Sequence, residues 1–295
     1  MSGFLSTSTA MIVCTADAKY FDLEKLRTNA FSDAINPDGL RIGWVGLGDF
    51  LDTDNFALAT VSGTYAGFSL RIDAKKPSGA VIKLKLAEAI RDEIAKNGKC
   101  SGKRKKELKE YITDNVLAHT EFVPSVIDCL WDLEQGRIFI GVGNIKAIQP
   151  VVTMMKNTFG IEPEPIYPNE NLANLFATVL KEDEYKLGDF TLTNAGSASL
   201  ASAEQAEEKA SVSVQNNTTA ATSALSDGLT IKKLQIVATP DAIPDMQLAF
   251  TIDTALAISG LKFPKPEKGA EEDAVFLINA DMCGQVADLL ANMVQ

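Results

Sequence analysis

The sequence predicts an α+β protein, an elongated chain of several parts in which antiparallel sheets are flanked by helices. Strand character comes from the period-two alternation of Phe68, Leu70 and Ile72, which is typical of a strand with one buried face. Helical character comes from apolar residues that return at spacings of three and four between Ile82 and Ile94. The chain of 295 residues is long enough for two compact units or one extended unit.

The N-terminal part, residues 1–78, is predicted to be rich in β-strands because short apolar runs alternate there with turn residues. We expect each run to form a strand of a sheet. The runs cover residues 10–15, 42–47, 56–61 and 67–72.

The second part, residues 79–170, is predicted to hold a pair of helices with a basic cluster, then a β-hairpin and a third helix. Ser78 is a candidate N-cap for the first helix, and Asn97-Gly98 supplies its stop. A second helical run begins near Lys103. Two apolar runs joined by Glu134-Gln135-Gly136 predict the β-hairpin.

The rest of the chain is predicted to contain a short helical connector at 171–193, a low-complexity linker or arm at 194–228, and a C-terminal α+β part at 229–295. Segment 194–228 has few large apolar residues. It can therefore bury little apolar surface, too little to offset the conformational entropy that it would lose on folding. Within it, Ser202–Ala210 is a candidate short helix. Alternating segments after Leu229 predict a meander, and an apolar helix closes the chain.

The composition is that of a globular protein from a reducing compartment. Hydrophobic residues make up 46% of the chain and charged residues 23%. No run approaches the roughly 20 apolar residues of a membrane helix. The cysteines are isolated from one another, which favours free thiols over a disulfide framework. Because the N-terminus lacks a basic segment that leads into an apolar run, we expect a cytoplasmic protein without a membrane partner.

Positive charge is concentrated in one short stretch of an acidic chain. The net charge is −11, yet six basic residues lie close together with a single acid, Glu107, between them. Packed like charges repel, and nucleic-acid phosphate would relieve the repulsion; a solvated, lysine-rich helix end is the other interpretation. Cations at the start of a helix also oppose its dipole, which favours a functional reason for them. The cluster consists of Lys99, Lys103, Arg104, Lys105, Lys106 and Lys109.

Residues that would support catalysis or metal binding are sparse. His119 is the only histidine, no cysteine pair has zinc spacing, and two Gly-x-Gly pieces lack the rest of a nucleotide-binding fingerprint. We therefore expect no enzyme, no metal and no cofactor. Acids near predicted strand ends leave a metal-dependent nuclease as an alternative. These acids are Asp52, Asp54, Asp128, Asp132 and Glu134.

Four blocks in a fixed order resemble the RdgC family, the recombination-associated DNA-binding proteins of bacteria. Their shared order along nearly the whole chain carries the resemblance. The blocks are Gly43-Trp44-Val45, Val81-Ile82-Lys83 with the basic stretch 98–109, Trp131 with the hairpin and residues 145–160, and residues 248–263 with 273–290.

The resemblance implies a homodimer that closes head-to-head and tail-to-tail into a ring around double-stranded DNA. Such a ring performs no chemistry, is associated with the nucleoid, and restrains RecA by occupying the duplex. It needs basic residues on its inner wall alone, which agrees with one basic cluster in an acidic chain. Phe122 is a candidate for an aromatic that projects toward DNA, with a buried aromatic as the alternative. The resemblance implies that the DNA-binding residues of the inner wall are Lys99, Lys103, Arg104, Lys105, Lys106 and Lys109. Second candidates, on the preceding helix, are Lys83, Lys85 and Arg91.

The sequence departs from the family pattern at two places. The family carries Leu-Pro-Arg-x-Phe after the basic helix, whereas this chain has Leu117-Ala118-His119-Thr120-Glu121-Phe122 and lacks the proline and arginine. Residues 194–226 also match the family poorly. The departures predict a divergent member, and an interaction or structural protein whose acidic surface binds a basic partner, without DNA, is the alternative function.

Overall fold

The computed structural model describes residues 3–202, 210–215 and 217–295, and it confirms the predicted α+β class. That part of the chain forms seven α-helices and twelve strands. The helices are α1 (Leu23–Thr28), α2 (Gly79–Asn97), α3 (Gly102–Ala118), α4 (Gln149–Phe159), α5 (Leu172–Lys181), α6 (Thr218–Ser226) and α7 (Glu272–Val294). The strands are β1 (Ser8–Thr15), β2 (Arg41–Gly46), β3 (Tyr65–Lys75), β4 (Phe122–Asp132), β5 (Arg137–Ile140), β6 (Glu164–Pro165), β7 (Tyr185–Leu187), β8 (Phe190–Ala201), β9 (Ser211–Val214), β10 (Thr230–Pro240), β11 (Leu248–Asp253) and β12 (Ile258–Lys262).

The strands follow one another in the order β2-β3-β4-β5-β1-β12-β11-β10-β8-β7, with β6 beside β1 and β9 beside β8. The pairings of β1 with β5 and β12, and of β10 with β8 and β11, are antiparallel. Strands β10, β11 and β12 form the predicted meander, in which Ile236 faces Phe250 and Ile252 faces Ile258 on the next strand.

The chain divides into two compact units. Unit 2 consists of Phe31–Gly43 and Arg71–Val126, and unit 1 contains the rest of the described residues. Strands β2, β3 and β4 each pass from one unit into the other, so neither unit is one continuous stretch. The predicted boundaries instead cut the chain into five consecutive parts, because the pattern along a strand does not mark where it leaves a unit.

The core of unit 1 is a cluster of buried apolar residues from the strands and from α5, α6 and α7. Helix α7 alone buries eleven residues, including Phe276 and Leu290. Among the described helices, α7 is long and apolar enough to cross a membrane by length and composition, contrary to the expectation from the sequence. More than half of that apolar stretch is buried within the fold, which is the pattern of a core helix.

Both tryptophans are fully buried within unit 1. The indole Nε1 of Trp44 donates to Thr158 Oγ1 at 2.7 Å, and that of Trp131 donates to the Ala16 carbonyl oxygen at 3.0 Å. The Trp131 ring also meets Phe159 edge-to-face at a centroid distance of 5.2 Å. Because both indole donors are satisfied, these large side chains are buried without an unpaired polar group.

The β4–β5 hairpin and helix α4 confirm the predictions for this region. Asp132 faces Arg137 across the hairpin, and its carboxylate accepts the Gln135 amide at 2.9 Å, which fixes the turn. Pro150 lies in the first turn of α4, where its missing donor is harmless. Gly160 ends the helix with a φ of 76°, in the left-handed region that glycine adopts readily.

The apolar run 56–61 is not a strand, so that prediction is wrong. Phe56 adopts a left-handed backbone conformation, with a φ of 47°, and the 3₁₀ turn Ala57–Ala59 follows it. The Asp52 carboxylate explains the turn, because it accepts the amides of Asn55 at 2.8 Å and Phe56 at 3.1 Å. The apolar residues are therefore buried by a turn and not by an extended segment.

The segment 194–228 is not a linker in the described residues, which form the end of β8, all of β9, and α6. Strand β8 pairs with β10 along its length and buries Ala198, and α6 buries Ala221 and Ala224. Small apolar side chains thus fill this interior, and the sheet satisfies the backbone. The candidate helix Ser202–Ala210 falls, apart from its two ends, outside the described residues.

Candidate nucleic-acid interface

Helices α2 and α3 form a helical hairpin in unit 2, called here the basic hairpin (residues 79–118). Helix α2 begins after Ser78, whose hydroxyl accepts a first-turn amide at 3.4 Å, and it ends at Gly98 with a φ of 73°. Helix α3 begins after Ser101, whose hydroxyl accepts the Arg104 amide at 3.2 Å. Local caps therefore determine where the loop between the helices lies.

The basic hairpin has little buried surface. Helix α2 buries no residue, and α3 buries Ile112 and Val116 alone. In the apolar stripe predicted for α2, Ile82, Leu86 and Ile90 are half-buried and Ile94 is exposed. Most of the surface of the two helices is consequently exposed to solvent.

All six residues of the predicted basic cluster are exposed, around the loop and the first two turns of α3. The Arg104 guanidinium forms two ion pairs within the basic hairpin, at 3.3 Å from the Glu93 carboxylate and 3.1 Å from the Glu107 carboxylate. The Lys106 ammonium lies 3.8 Å from the Glu110 carboxylate. The remaining four have no ion pair within the described chain, so their ammonium groups are open to an anion. They are Lys99, Lys103, Lys105 and Lys109.

Arg104 and its partner Glu93 each favour the ionised form of the other. Hydrogen bonds to Glu107 and Glu93 raise the pKa of Arg104. A hydrogen bond from Asn97, followed by one from Arg104, lowers the pKa of Glu93. The positive end of the α3 dipole lies at the same place, so the lysines there repel both one another and the helix end. A bound anion would reduce this repulsion.

Charge is divided unequally between the two units. Unit 2 contains 14 of the 28 lysines and arginines but 10 of the 39 acids, which gives a net charge of +4. Because the whole chain has a net charge of −11, the residues outside unit 2 have a net charge of −15. A polyanion is attracted to unit 2 and repelled by the surface of unit 1.

The six residues of the basic cluster lie around the loop between α2 and α3, whereas the other predicted DNA contacts lie elsewhere in unit 2. Lys83, Lys85 and Arg91 are exposed on α2 and extend the basic surface away from the loop. Phe122 is half-buried at the start of β4, and the Arg41 guanidinium lies 4.1 Å from its ring centroid.

Sequence reasoning missed five further cations of unit 2, of which Arg41, Arg71 and Lys75 lie on its strands. The Arg71 guanidinium binds the Asp73 carboxylate at 2.7 Å and lies 4.0 Å from the centroid of the Phe31 ring. Arg41 is on β2 and the other two are on β3, so the cations come together only in the folded unit. In the sequence, the adjacent lysines Lys75 and Lys76 at the end of β3 are the one local sign of this region.

The acids considered for a nuclease are not assembled into a metal site within the described residues, where no group of three or more potential ligands occurs. Asp132 binds Arg137 at 3.0 Å, and Asp52 caps a turn. Asp128 accepts the Ser69 hydroxyl at 2.9 Å. These three carboxylates each have a structural partner within the described residues.

Asp128 is expected to make stability depend on pH. Burial raises the pKa of its carboxyl, although Ser69 and the Phe4 amide donate hydrogen bonds to it. The folded state therefore binds a proton more readily than the unfolded chain. This group favours folding at low pH, and its contribution is lost as the pH rises from the ordinary value of about 3.9 through the raised one. We expect Asp128→Asn to flatten that loss in thermal unfolding measured across pH, and a variant with the parent's full pH dependence would contradict this.

The fold and the hairpin together define an α+β protein that concentrates its positive charge on one exposed pair of helices. The sequence model of a family described as "Putative exonuclease, RdgC" matches residues 13–294, nearly the whole chain. The chain belongs to the RdgC family, which confirms the resemblance found in the sequence. Membership supports a recombination-related nucleoid protein in general terms. No curated protein sequence matches the chain.

Proposed function

We propose that the protein binds double-stranded DNA without sequence preference, as a ring-shaped homodimer of the cytoplasmic nucleoid that performs no chemistry and limits RecA-promoted strand exchange. The separation of charge carries this proposal, because unit 2 has a net charge of +4 and the rest of the chain −15. Lysines on an exposed hairpin contact phosphates, which every DNA sequence presents alike. The acidic remainder keeps the duplex on the basic path.

The proposed homodimer has support in the apolar residues that the basic hairpin exposes. Leu84 on α2 is 62% exposed and Tyr111 on α3 is 70% exposed. Val81, Ile94 and Leu117 are exposed as well. Exposed apolar groups on a thin hairpin are typical of an interaction surface, and a two-fold axis would bring the same surface of both copies together. Two basic hairpins would then face one duplex.

Replacing Leu84 with glutamate is expected to raise the dissociation constant of the dimer about tenfold or more, because it introduces a charge into the proposed contact. Sedimentation equilibrium measures this change directly. Ile278→Glu is a matched control, since Ile278 is 52% exposed on α7 in unit 1. Equal monomer fractions in the two variants would show that α2 is not the interface.

Fluorescence-anisotropy titration of a labelled duplex of arbitrary sequence, at several salt concentrations, tests DNA binding. We expect the logarithm of the affinity to fall linearly with the logarithm of the salt concentration, with a slope of about −0.9 for each phosphate neutralised. A second duplex of scrambled sequence should bind equally. Closed circular DNA should compete less well than linear DNA of the same length, because a closed ring is threaded over ends.

A duplex that is not retained at low salt would refute DNA binding. The net charge of −15 outside unit 2 would then favour the second candidate, an interaction protein whose acidic surface binds a basic partner.

Two further assays test the rest of the proposal. Incubation of the protein with linear duplex and Mg²⁺ or Mn²⁺ should leave the DNA intact, and progressive shortening from the ends would contradict the non-catalytic role. Strand exchange by RecA should slow as the duplex becomes occupied. An undiminished rate on a saturated duplex would contradict the proposed antagonism.

A further inference from the structure

The two ends of the basic hairpin meet at one point of unit 2. The chain enters through residues 76–78, directly after Lys75 at the end of β3, and leaves through residues 119–121, directly before Phe122 at the start of β4. The Lys75 ammonium lies 5.3 Å from the centroid of the Phe122 ring. The two residues that border the hairpin therefore contact each other.

Lys75 also holds the end of α3. Its ammonium donates to the carbonyl oxygens of Leu117 and Ala118, each at 3.3 Å. Carbonyls in the last turn of a helix lack intrahelical donors, and a cation there interacts favourably with the helix dipole. The Nδ1 of His119 lies 2.8 Å from the Asn115 carbonyl oxygen, so this histidine has a structural role in the same cap.

A third strand secures the Phe122 ring. Arg41, the first residue of β2, has its guanidinium 4.1 Å from the ring centroid and binds the Asp33 carboxylate at 2.8 Å. The ring is thus in contact with cations from β2 and β3. A cation over an aromatic face is an attractive contact whose strength depends on geometry, so it fixes orientation.

We propose that Lys75, Phe122 and Arg41 form an anchor that sets the direction in which the basic hairpin leaves the strands of unit 2. Phe122 is then a positioning residue and not a DNA contact. The hairpin has little other packing, because α2 buries no residue and α3 buries only Ile112 and Val116. The consequence for DNA rests on the proposed function. An anchored hairpin loses less conformational entropy when its lysines bind phosphates, so it binds DNA with higher affinity than a mobile hairpin.

A nitroxide spin label on Cys100 reports motion of the hairpin with no DNA present. Cys100 lies in the loop between α2 and α3 and is partly exposed, whereas the other three cysteines are buried. We expect severalfold faster label motion in Phe122→Leu and in Lys75→Met. Combining the two should increase the motion by less than the sum of the two separate increases, because both variants break the contact between Lys75 and Phe122.

Two control variants alter a lysine at this place without breaking the anchor. Lys75→Arg retains a cation that can cap α3 and lie over the ring, so we expect the label motion of the parent. Lys76→Met removes the adjacent exposed cation and should also leave the motion unchanged. Unchanged motion in both anchor variants, or an equal increase in Lys76→Met, would overturn the proposal.

DNA titrations of the same variants separate anchoring from direct contact. Both anchor variants should lose affinity by a similar severalfold factor at the parent's salt slope, because the phosphate contacts stay the same. Loss of affinity in Phe122→Leu alone, with unchanged label motion, would assign Phe122 to the DNA surface and overturn the anchor. Failure of the unsubstituted protein to bind DNA would refute the proposed function alone, since the label measurement needs no DNA.

Discussion

Replacing Lys103, Lys105 and Lys106 with alanine is expected to reduce the magnitude of the log–log salt slope of DNA binding by about 2.7, because each lysine neutralises one phosphate at about 0.9 per contact. At roughly 0.1 M salt the same change corresponds to an affinity loss on the order of a few hundredfold. All three ammonium groups are exposed at the start of α3. Arg104 is left in place, since Glu93 and Glu107 already engage its guanidinium and reduce its share of the contact. Lys106 is included because its one partner, the exposed Glu110 carboxylate, lies 3.8 Å away, and an exposed pair of this kind is weak.

The matched control removes the same charge from unit 1. Lys262, Lys265 and Lys268 are exposed there, and their replacement with alanine should leave the slope unchanged. Equal flattening in the two variants would mean that net charge governs binding. An unchanged slope in the hairpin variant would take the basic hairpin out of the DNA path.

The hairpin variant is also expected to be no less stable than the parent in urea unfolding. Cations in the first turns of a helix oppose the helix dipole and repel one another, so alanine at these positions relieves both effects. A loss of affinity without a loss of stability would separate DNA contact from folding. Destabilisation of the variant would show that the lysines have structural partners in the folded protein.

The parts of the fold that could be predicted from the sequence are those that local chemistry determines. Ser78 caps α2 and Gly98 ends it, and the β4–β5 turn lies where polar residues and glycine interrupt two apolar runs. The basic cluster could be predicted for the same reason, since its residues are close in sequence and remain together on one loop. Burial of Trp44 and Trp131 follows from their size and apolar surface.

The parts that could not be predicted depend on contacts between distant residues. Phe56 is placed in a turn by the carboxylate of Asp52, which a pattern of apolar residues does not reveal. The segment 194–228 orders through backbone pairing of β8 with β10, although its side chains are small. The anchor at Phe122 joins Arg41 to Lys75, and only the folded unit brings these residues together.

Replacing Arg137 with methionine is expected to lower the free energy of unfolding by about 3–5 kcal/mol, because it leaves a buried carboxylate without its cation. Arg137 begins β5 and binds Asp132 at 3.0 Å and Asp288 at 2.6 Å. The side chain of Asp132 is 2% exposed, so water cannot take over the role of the guanidinium. Asp132 also holds the β4–β5 turn through the Gln135 amide, which couples the ion pair to the hairpin.

Urea unfolding with a matched exposed pair tests this reasoning. Lys186 binds Asp241 in the same unit with about half of each side chain exposed, and Lys186→Met should cost less than about 1 kcal/mol. The double variant Asp132→Asn/Arg137→Met should recover part of the loss of Arg137→Met, because the carboxylate left without its cation is then that of Asp288, which is half exposed to water, and because the asparagine can still accept the Gln135 amide. Equal costs for Arg137→Met and Lys186→Met would show that burial does not set the strength of the Asp132–Arg137 pair. A double variant as unstable as Arg137→Met would assign the loss to the packing of the arginine stem instead of to the stranded carboxylate.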